Sequence, residues 1–547
     1  MTAFESPVCA QGFQLTLDQL LMPTVEQYPD REIVYRDTVR LRYRDLHGRV
    51  LRLCALLQRL GAGPGVTVAV ADWDSHRYLE AYFAVPMTGA TLMTANIRLS
   101  PEQLAYTLGH SGASVLLVND DFAPQLAELR EALPAATAWL RLTDQPDATA
   151  HPDLPWHGEY EACLAAETPD PVLPAPDENR RATLFYTTGT TGAPKGVSFS
   201  HRQLVLHTLA LAGALGCSAD GLRVHRRDVY MPITPMFHVH AWGMPYLATM
   251  LGLKQVYPGR YRPAALLDLI EREDVTISHC VPTLLQMMLD DPSQPQRDLS
   301  RWKVIIGGAA LSEALARRAL ALGIDIWAGY GMSETGPVLT LAQFHPDHER
   351  NEAQDLAARL RAGSPIPLVR LRVLDKAGQP VARDNRQAGE VTARAPWLTA
   401  DYLNEPEASA GLWRNGFLHT RDIGVLDADG SLRLTDRATD MIKTGGEWVS
   451  SLELEALLLD CTGVADAAVI GIPDARWGER PVAVIVPEKD DDPQLAEALR
   501  KALHVQAQQG RLPSYALPDA IHLTNALPRT SVGKTDKKAL RLQYGGA

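Results

Sequence analysis

Cysteines are scarce and far apart. Six are spread over 547 residues, at Cys9, Cys54, Cys163, Cys217, Cys280 and Cys461, with no C-x-x-C pair among them. A disulfide framework or a zinc centre needs closer groupings, so reduced thiols and a cytoplasmic setting are expected. An excess of positive charge is also missing: the net charge is −12, with acidic and basic residues mixed along the whole length. That balance disfavours a general nucleic-acid binder, which needs concentrated Lys and Arg against phosphate backbones, and leaves room for a local basic pocket for one anionic cofactor. The stretch Met1 to Leu20 lacks a basic region followed by an apolar run, so no secretory signal is read there. No unbroken apolar span is present either. Residues 229–253 carry no formal charge and are long enough to cross a bilayer, but they hold Pro232, Pro235 and Pro245 beside His238 and His240. Proline removes a backbone donor and breaks a helix, so buried strand, loop and pocket wall are expected instead of a transmembrane segment.

What is present is ordinary globular composition, 46% apolar and 22% charged, in a chain too long for one core. Helical and strand patterns alternate from about Tyr43 to Ile326. Helix is expected at Leu51–Leu60 and Leu79–Thr88, and strand at Val66–Val70 and Ser114–Val118. Such alternation predicts parallel sheets covered by helices. Pro171–Asp177 reads as a connector. After about Ala362 the texture changes to short strands, with Asp427–Gly430 turning between Ile423–Leu426 and Leu432–Leu434. From Arg437 a tail of about a hundred residues suits a small separate domain. There Ser450 and Glu453 make a capping-box pattern before a helix Leu452–Leu459, Ala467–Gly471 and Pro481–Val486 read as strands, and Leu495–Gln508 as a helix.

The densest chemical signal is Tyr186-Thr-Thr-Gly-Thr-Thr-Gly-Ala-Pro-Lys-Gly-Val197, fed by a strand at Thr183–Tyr186. Glycines let backbone N–H groups approach phosphate oxygens, the threonine hydroxyls add donors, and Lys195 adds a charge. It is not a Walker loop, since no G-K-S/T follows Gly189 at the required spacing; Gly533-Lys534-Thr535 fails too, with Pro528 where glycine is needed.

This loop resembles the signature of the adenylate-forming superfamily of acyl-CoA synthetases, aryl-CoA ligases, luciferases and peptide-synthetase adenylation domains. Gly307-Gly-Ala-Ala310, Tyr330-Gly-Met-Ser-Glu-Thr335, Thr420-Arg-Asp422, Asp436-Arg437 and Pro528-Arg-Thr-Ser-Val-Gly-Lys534 follow in the superfamily's order across nearly the whole chain. The resemblance implies a large α/β N-terminal domain (1–437) of helix-covered sheets with a small β-barrel-like part, and a small mobile α+β domain (438–547). It implies ATP, Mg²⁺ and coenzyme A as cofactors. Thr187, Thr188, Gly189, Thr190, Thr191 and Lys195 would cradle phosphates, while Thr187 and Glu334 would hold the metal. Gly308, Gly329, Tyr330, Gly331 and Ser333 would line the nucleotide, with Tyr330 stacked on adenine, and Asp422 with Arg437 would bind the ribose. Lys534 would offset charge between carboxylate and α-phosphate. Lys443, Gly445, Gly446 and Trp448, in Ile442-Lys-Thr-Gly-Gly-Glu-Trp448, look like the loop that faces the site for thioester formation, with Lys443 contributing to catalysis. Thr439 departs from the superfamily's usual Asp or Lys at the hinge, which puts any hinge-lysine contact in doubt.

Met236-Phe-His-Val-His-Ala-Trp-Gly-Met-Pro-Tyr246 is aromatic and uncharged, which suits an apolar acyl chain and offers nothing to an amino acid. His238 is expected to border the carboxylate and Trp242 to gate the acyl tunnel, with Gly331 beside them; plain core packing is the competing reading of Trp242. The run Leu79–Pro86 through Thr94–Ser100 and the loop Gly445–Ser451 resemble bacterial medium- or long-chain fatty acyl-CoA synthetases. A carrier protein as acceptor, an aryl acid, a luciferase-like oxygenase and a non-catalytic adenylate sensor share parts of this signature. The sequence is compatible with a homodimer and with peripheral membrane contact.

Overall fold

The computed structural model describes residues 13–133, 138–187, 193–218, 222–345, 351–437, 439–445, 447–488, 494–509, 512–530 and 534–545. Two large sheets dominate the first three quarters of the chain. A seven-stranded sheet orders the strands Trp156–Glu159, Ala138–Leu142, Ala113–Asn119, Thr67–Ala71, Thr91–Thr94, Arg181–Thr187 and Lys195–Ser200. All neighbours are parallel except the last pair. A nine-stranded sheet places Asp325–Gly331, Lys303–Ile306, Ile277–Cys280, Val229–Pro232 and Lys254–Tyr257 next to one another, again parallel.

Parallel strands need crossover helices, and covering both faces lets the strands run apolar. Helix His76–Met87 shows the consequence: residues His76 to Pro86 are all buried, and the helix touches strands of both large sheets. Ser75 caps it, accepting the Tyr78 N–H at 3.1 Å. The uncharged stretch 229–253 is strand Val229–Pro232, a turn, and helix Met244–Leu251, with Pro245 in the first turn where a missing N–H costs nothing. Among the described residues no helix is long and apolar enough to cross a membrane, and five free cysteines are described.

The expected β-barrel-like part is a five-stranded antiparallel sheet built on Phe417–Leu426, with Leu432–Arg437 folded back against it. The hairpin turns at Asp427–Gly430, where Gly430 takes φ 82. The C-terminal α+β domain carries its own sheet, with Val464–Asp474 paired to Gly478–Pro487 and helix Leu495–Gln508 packed beside it. Its core is separate from those of the large domain.

The expected elements occur with bounds extended or shifted by a few residues: Leu51–Leu60 overlaps helix Tyr43–Arg59, Val66–Val70 overlaps strand Thr67–Ala71, and Ser114–Val118 lies within strand Ala113–Asn119. Pro171–Asp177 is irregular backbone. One detail differs. Ser450 accepts the Glu453 N–H at 3.1 Å, yet the Glu453 carboxylate pairs with Arg433 across the domain boundary instead of closing the box.

Candidate active site

Strand Arg181–Thr187 runs out of the seven-stranded sheet and strand Lys195–Ser200 returns beside it, so Thr187 and Lys195 stand opposite in register. Thr188, Gly189, Thr190 and Thr191, between them in sequence, lie outside the described residues. Lys195 places its ammonium 5.0 Å from the centre of the Tyr402 ring, and Tyr402 donates its hydroxyl to Glu334 Oε1 at 2.6 Å. The two oxygen donors Thr187 and Glu334 fit a hard cation such as Mg²⁺. Burial raises the Glu334 carboxyl, opposed chiefly by the Tyr402 hydrogen bond.

Gly329, Tyr330 and Gly331 end strand Asp325–Gly331, and Ser333 and Glu334 form the short turn after it. Here glycine is forced by contact: a Cβ on Gly331 would stand 1.7 Å from the Pro337 carbonyl oxygen. Tyr330 donates to Asp422 Oδ2 at 2.7 Å, which anchors the end of the ring. Asp422 and Arg437 face each other across adjacent strands, with Arg437 Nε 3.4 Å from Asp422 Oδ1. The Asp422 carboxylate is thus held by Tyr330 on one side and Arg437 on the other.

Lys534 comes from the other domain. Its own loop is closed by Thr530 N–H donating to the Lys534 carbonyl at 2.7 Å and Lys534 N–H donating to Thr530 Oγ1 at 3.2 Å. The side chain reaches the large domain, where a Cβ on Gly308 would lie 3.6 Å from Lys534 Cε. Burial pushes its ammonium down to about 8, with Arg437 adding to the shift and Asp422 and Glu334 opposing it. The half-buried Lys534 ammonium, the buried Asp422 and Glu334 carboxylates and the Tyr330 ring therefore share one electrostatic neighbourhood. Residues 22–403 match the AMP-binding enzyme family and residues 453–534 its C-terminal domain. The chain belongs to the AMP-binding enzyme family.

Among its relatives, the chain is 39% identical to a long-chain-fatty-acid–CoA ligase of Thermus thermophilus, covering 100% of this chain and 99% of that protein. It is 32% identical to a medium-chain-fatty-acid–CoA ligase of Ectopseudomonas oleovorans, over 97% and 96% of the two chains. Among solved structures, it superposes on a fatty acyl CoA synthetase of Mycobacterium tuberculosis with TM-score 0.71 and 26% identity over 97% and 98%. An anthranilate CoA ligase bound to anthranoyl-AMP shares the fold at TM-score 0.85 and 23% identity, over 99% of each chain.

In this AMP-binding enzyme the His238 segment is clamped from three sides. Asp74 Oδ1 accepts the Met236 N–H at 2.8 Å, Thr94 donates to the Phe237 carbonyl at 2.9 Å, and Tyr82 donates to the Met236 carbonyl. The clamp precedes a turn in which Val239, His240, Ala241 and Trp242 have φ of 49, 52, 46 and 60, ending at Gly243. Left-handed backbone costs non-glycine residues about 1–2 kcal/mol each, so the surrounding bonds must hold it. The turn lays Trp242 on Gly307, where a Cβ would come 2.9 Å from Trp242 Cη2, and 4.9 Å from the His279 ring. Trp242 is thus packed against both the Gly307 backbone and the His279 ring. Burial pushes His238 down to about 3, with Lys534 and Arg98 adding to it, so its imidazole is neutral at ordinary pH.

The structure does not bring Lys443, Gly445 and Trp448 to Lys534. They form the exposed hairpin Ile442–Thr444 and Glu447–Val449, where Lys443 lies 5.8 Å from the Trp448 ring centre. Lys376 of the large domain sits 5.3 Å from the same ring. Gly445 has φ 60 and donates its N–H to the Trp477 carbonyl at 2.7 Å; Gly446 lies outside the described residues.

Sequence reading missed Tyr402 and Asp74, and it gave Tyr82 and Thr94, which stand in the runs Leu79–Pro86 and Thr94–Ser100, no part in the site. Each acts through another residue, and no spacing in the sequence points to those contacts.

Proposed function

We propose that this chain is an AMP-forming fatty acyl-CoA synthetase of the cytoplasm, acting on a medium- or long-chain acid. The observation that carries the adenylation step is Lys534 seated against Gly308 among Asp422, Glu334 and Arg437. In the first half-reaction a carboxylate oxygen bonds to the α-phosphorus of ATP and pyrophosphate leaves. Two anions must approach, and the Lys534 ammonium offsets the charge that builds between them. Asp422, held by Tyr330 and Arg437, orients the ribose. Thr187 and Glu334 would hold Mg²⁺, which when bound offsets phosphate charge. Neutral His238 borders the carboxylate without pairing with it as an ion, which leaves Lys534 as the charge partner.

In the second half-reaction the thiol of coenzyme A gives its proton to solvent and its sulfur bonds to the acyl carbon, while the bond from that carbon to the phosphate oxygen breaks and AMP leaves with the oxygen. We assign that step to the Lys443–Trp448 hairpin, and we place the domain boundary after Arg437, so that the small domain turns about Thr439 between steps. The uncharged Phe237–Tyr246 wall and the fatty-acid ligases among the relatives support an aliphatic acid. Acid-dependent ATP–pyrophosphate exchange tests the first step: a fatty acid should drive it without coenzyme A, and an absence of exchange with every acid would reject the assignment.

A further inference from the structure

The link between the domains carries contacts that adenylation chemistry does not use. Strand Leu432–Arg437 ends the large domain, and helix Ser451–Leu459 belongs to the small one. Asp436 is 2% exposed and Ser451 is 0% exposed. Asp436 Oδ2 accepts the Ser451 N–H, and Asp436 Oδ1 accepts the Ser451 hydroxyl at 3.1 Å. The same hydroxyl oxygen receives Lys537 Nζ at 2.6 Å, and Lys537 pairs with Glu455 at 2.6 Å. Beside them the Ser450 hydroxyl donates to the Thr435 carbonyl. Lys537 opens the helix Lys537–Tyr544, three residues past Lys534. A continuous polar chain thus runs from the last strand of the large domain to the helix that follows the reactive lysine.

Other contacts across the boundary are weaker. Arg433 and Glu453 approach to 3.4 Å with side chains 39% and 55% exposed, and Trp448 under Lys376 is itself exposed. Water screens both. The buried Asp436 contacts are therefore the ones that fix the angle between the domains. A turn about Thr439 leaves Thr435 and Asp436 with the large domain and carries Ser450, Ser451 and Lys537 away. Pairs internal to the small domain and hinge survive it: Lys537 with Glu455, and Arg541 with Asp440 at 2.7 Å. Polar contacts suit such a task, because water replaces each lost hydrogen bond when the faces part, whereas parted apolar faces gain nothing in return.

We propose that Asp436 and Ser451 are positioning residues for adenylation: their buried clasp, tied to Lys537, seats the small domain with Lys534 at the Gly308 wall and opens before thioester formation. This rests on the reading that Lys534 serves the first half-reaction and the Lys443–Trp448 hairpin the second. Asp436→Asn removes the charge and one acceptor without changing size, and Ser451→Ala removes only the hydroxyl.

The test measures both half-reactions in the full chain, ATP–pyrophosphate exchange and thioester formation from synthetic acyl-adenylate and coenzyme A. Loss of a charged hydrogen bond should slow exchange about tenfold in Asp436→Asn, with the thioester step as fast as in the native enzyme or faster. Ser451→Ala should shift both in the same directions by less, and it decides the matter if Asp436→Asn fails to fold. Equal loss of both steps, or unchanged exchange, overturns the clasp. Lys534→Ala is run beside them: if that variant keeps its exchange, the reading of Lys534 fails, whatever the clasp variants do.

Discussion

Lys534 and Gly308 meet across the two domains, the lysine Cε standing 3.6 Å from where a side chain on Gly308 would begin. The lysine therefore lies in van der Waals range of the Gly308 backbone, whose φ of 80 and nearness to Val281 favour glycine. In this seating of the small domain Lys534 faces the large domain while Lys443, Gly445 and Trp448 of the hairpin are exposed.

Removing the charge should separate the two steps. Lys534→Ala is expected to lower ATP–pyrophosphate exchange by roughly a hundredfold or more, the scale of one preorganised charge partner. Thioester formation from pre-made acyl-adenylate should stay near native. Parallel loss of both rates in a rapid-quench comparison would refute the division of labour.

The same lysine sets a pH limb. Burial holds it at about 8 in the ATP-free enzyme, and the ammonium is charged below that value and neutral above it. Since adenylation needs the charge, kcat/KM for ATP should be level below about 8 and fall as pH rises through it. Lys534→Arg, ionised to beyond about pH 12, should lose the limb while running more slowly. A limb unmoved by that substitution would assign it to another group.

Tyr330→Phe keeps the ring and deletes the hydroxyl that reaches Asp422 at 2.7 Å. A hydrogen bond to a charged partner contributes about 1.5–3 kcal/mol, so KM for ATP should rise roughly ten- to hundredfold. KM for the acid should not move. A change confined to the acid would place Tyr330 elsewhere in the reaction.

Trp242→Ala distinguishes wall from filler. Truncating a buried tryptophan lowers stability by about 3–5 kcal/mol, which thermal unfolding will register in either case. If Trp242 bounds the acyl path beside Gly307, the order of preferred acids should also change, with longer chains gaining relative to short ones. Uniform loss over all acids would leave it a packing residue only.

Much of this site was legible because its chemistry is carried by contiguous motifs. Tyr330, Glu334, Asp422, Arg437 and Lys534 each sit in a short run whose residue types suit one task, and the structure gathers them. Helix Leu495–Gln508 was legible to the residue, since its apolar spacing is undisturbed by function. Tyr402 was not, because its hydroxyl matters only through Glu334, 68 residues away in sequence. The left-handed turn at Val239–Trp242 runs against the preference of every residue in it, so no local rule predicts it; the Asp74, Tyr82 and Thr94 bonds that hold it come from distant elements. The Ser450–Glu453 box misled for a related reason, as Arg433 of the other domain takes the glutamate.

The central claim is that this fold couples an aliphatic acid to coenzyme A through an adenylate. Its most direct test is AMP release, with and without coenzyme A, over acids from acetate to oleate with benzoates included. The account predicts coenzyme A-dependent turnover that peaks among medium- or long-chain fatty acids and is weak for acetate and benzoates. A maximum at benzoates, or AMP release that needs a carrier protein in place of coenzyme A, would contradict it.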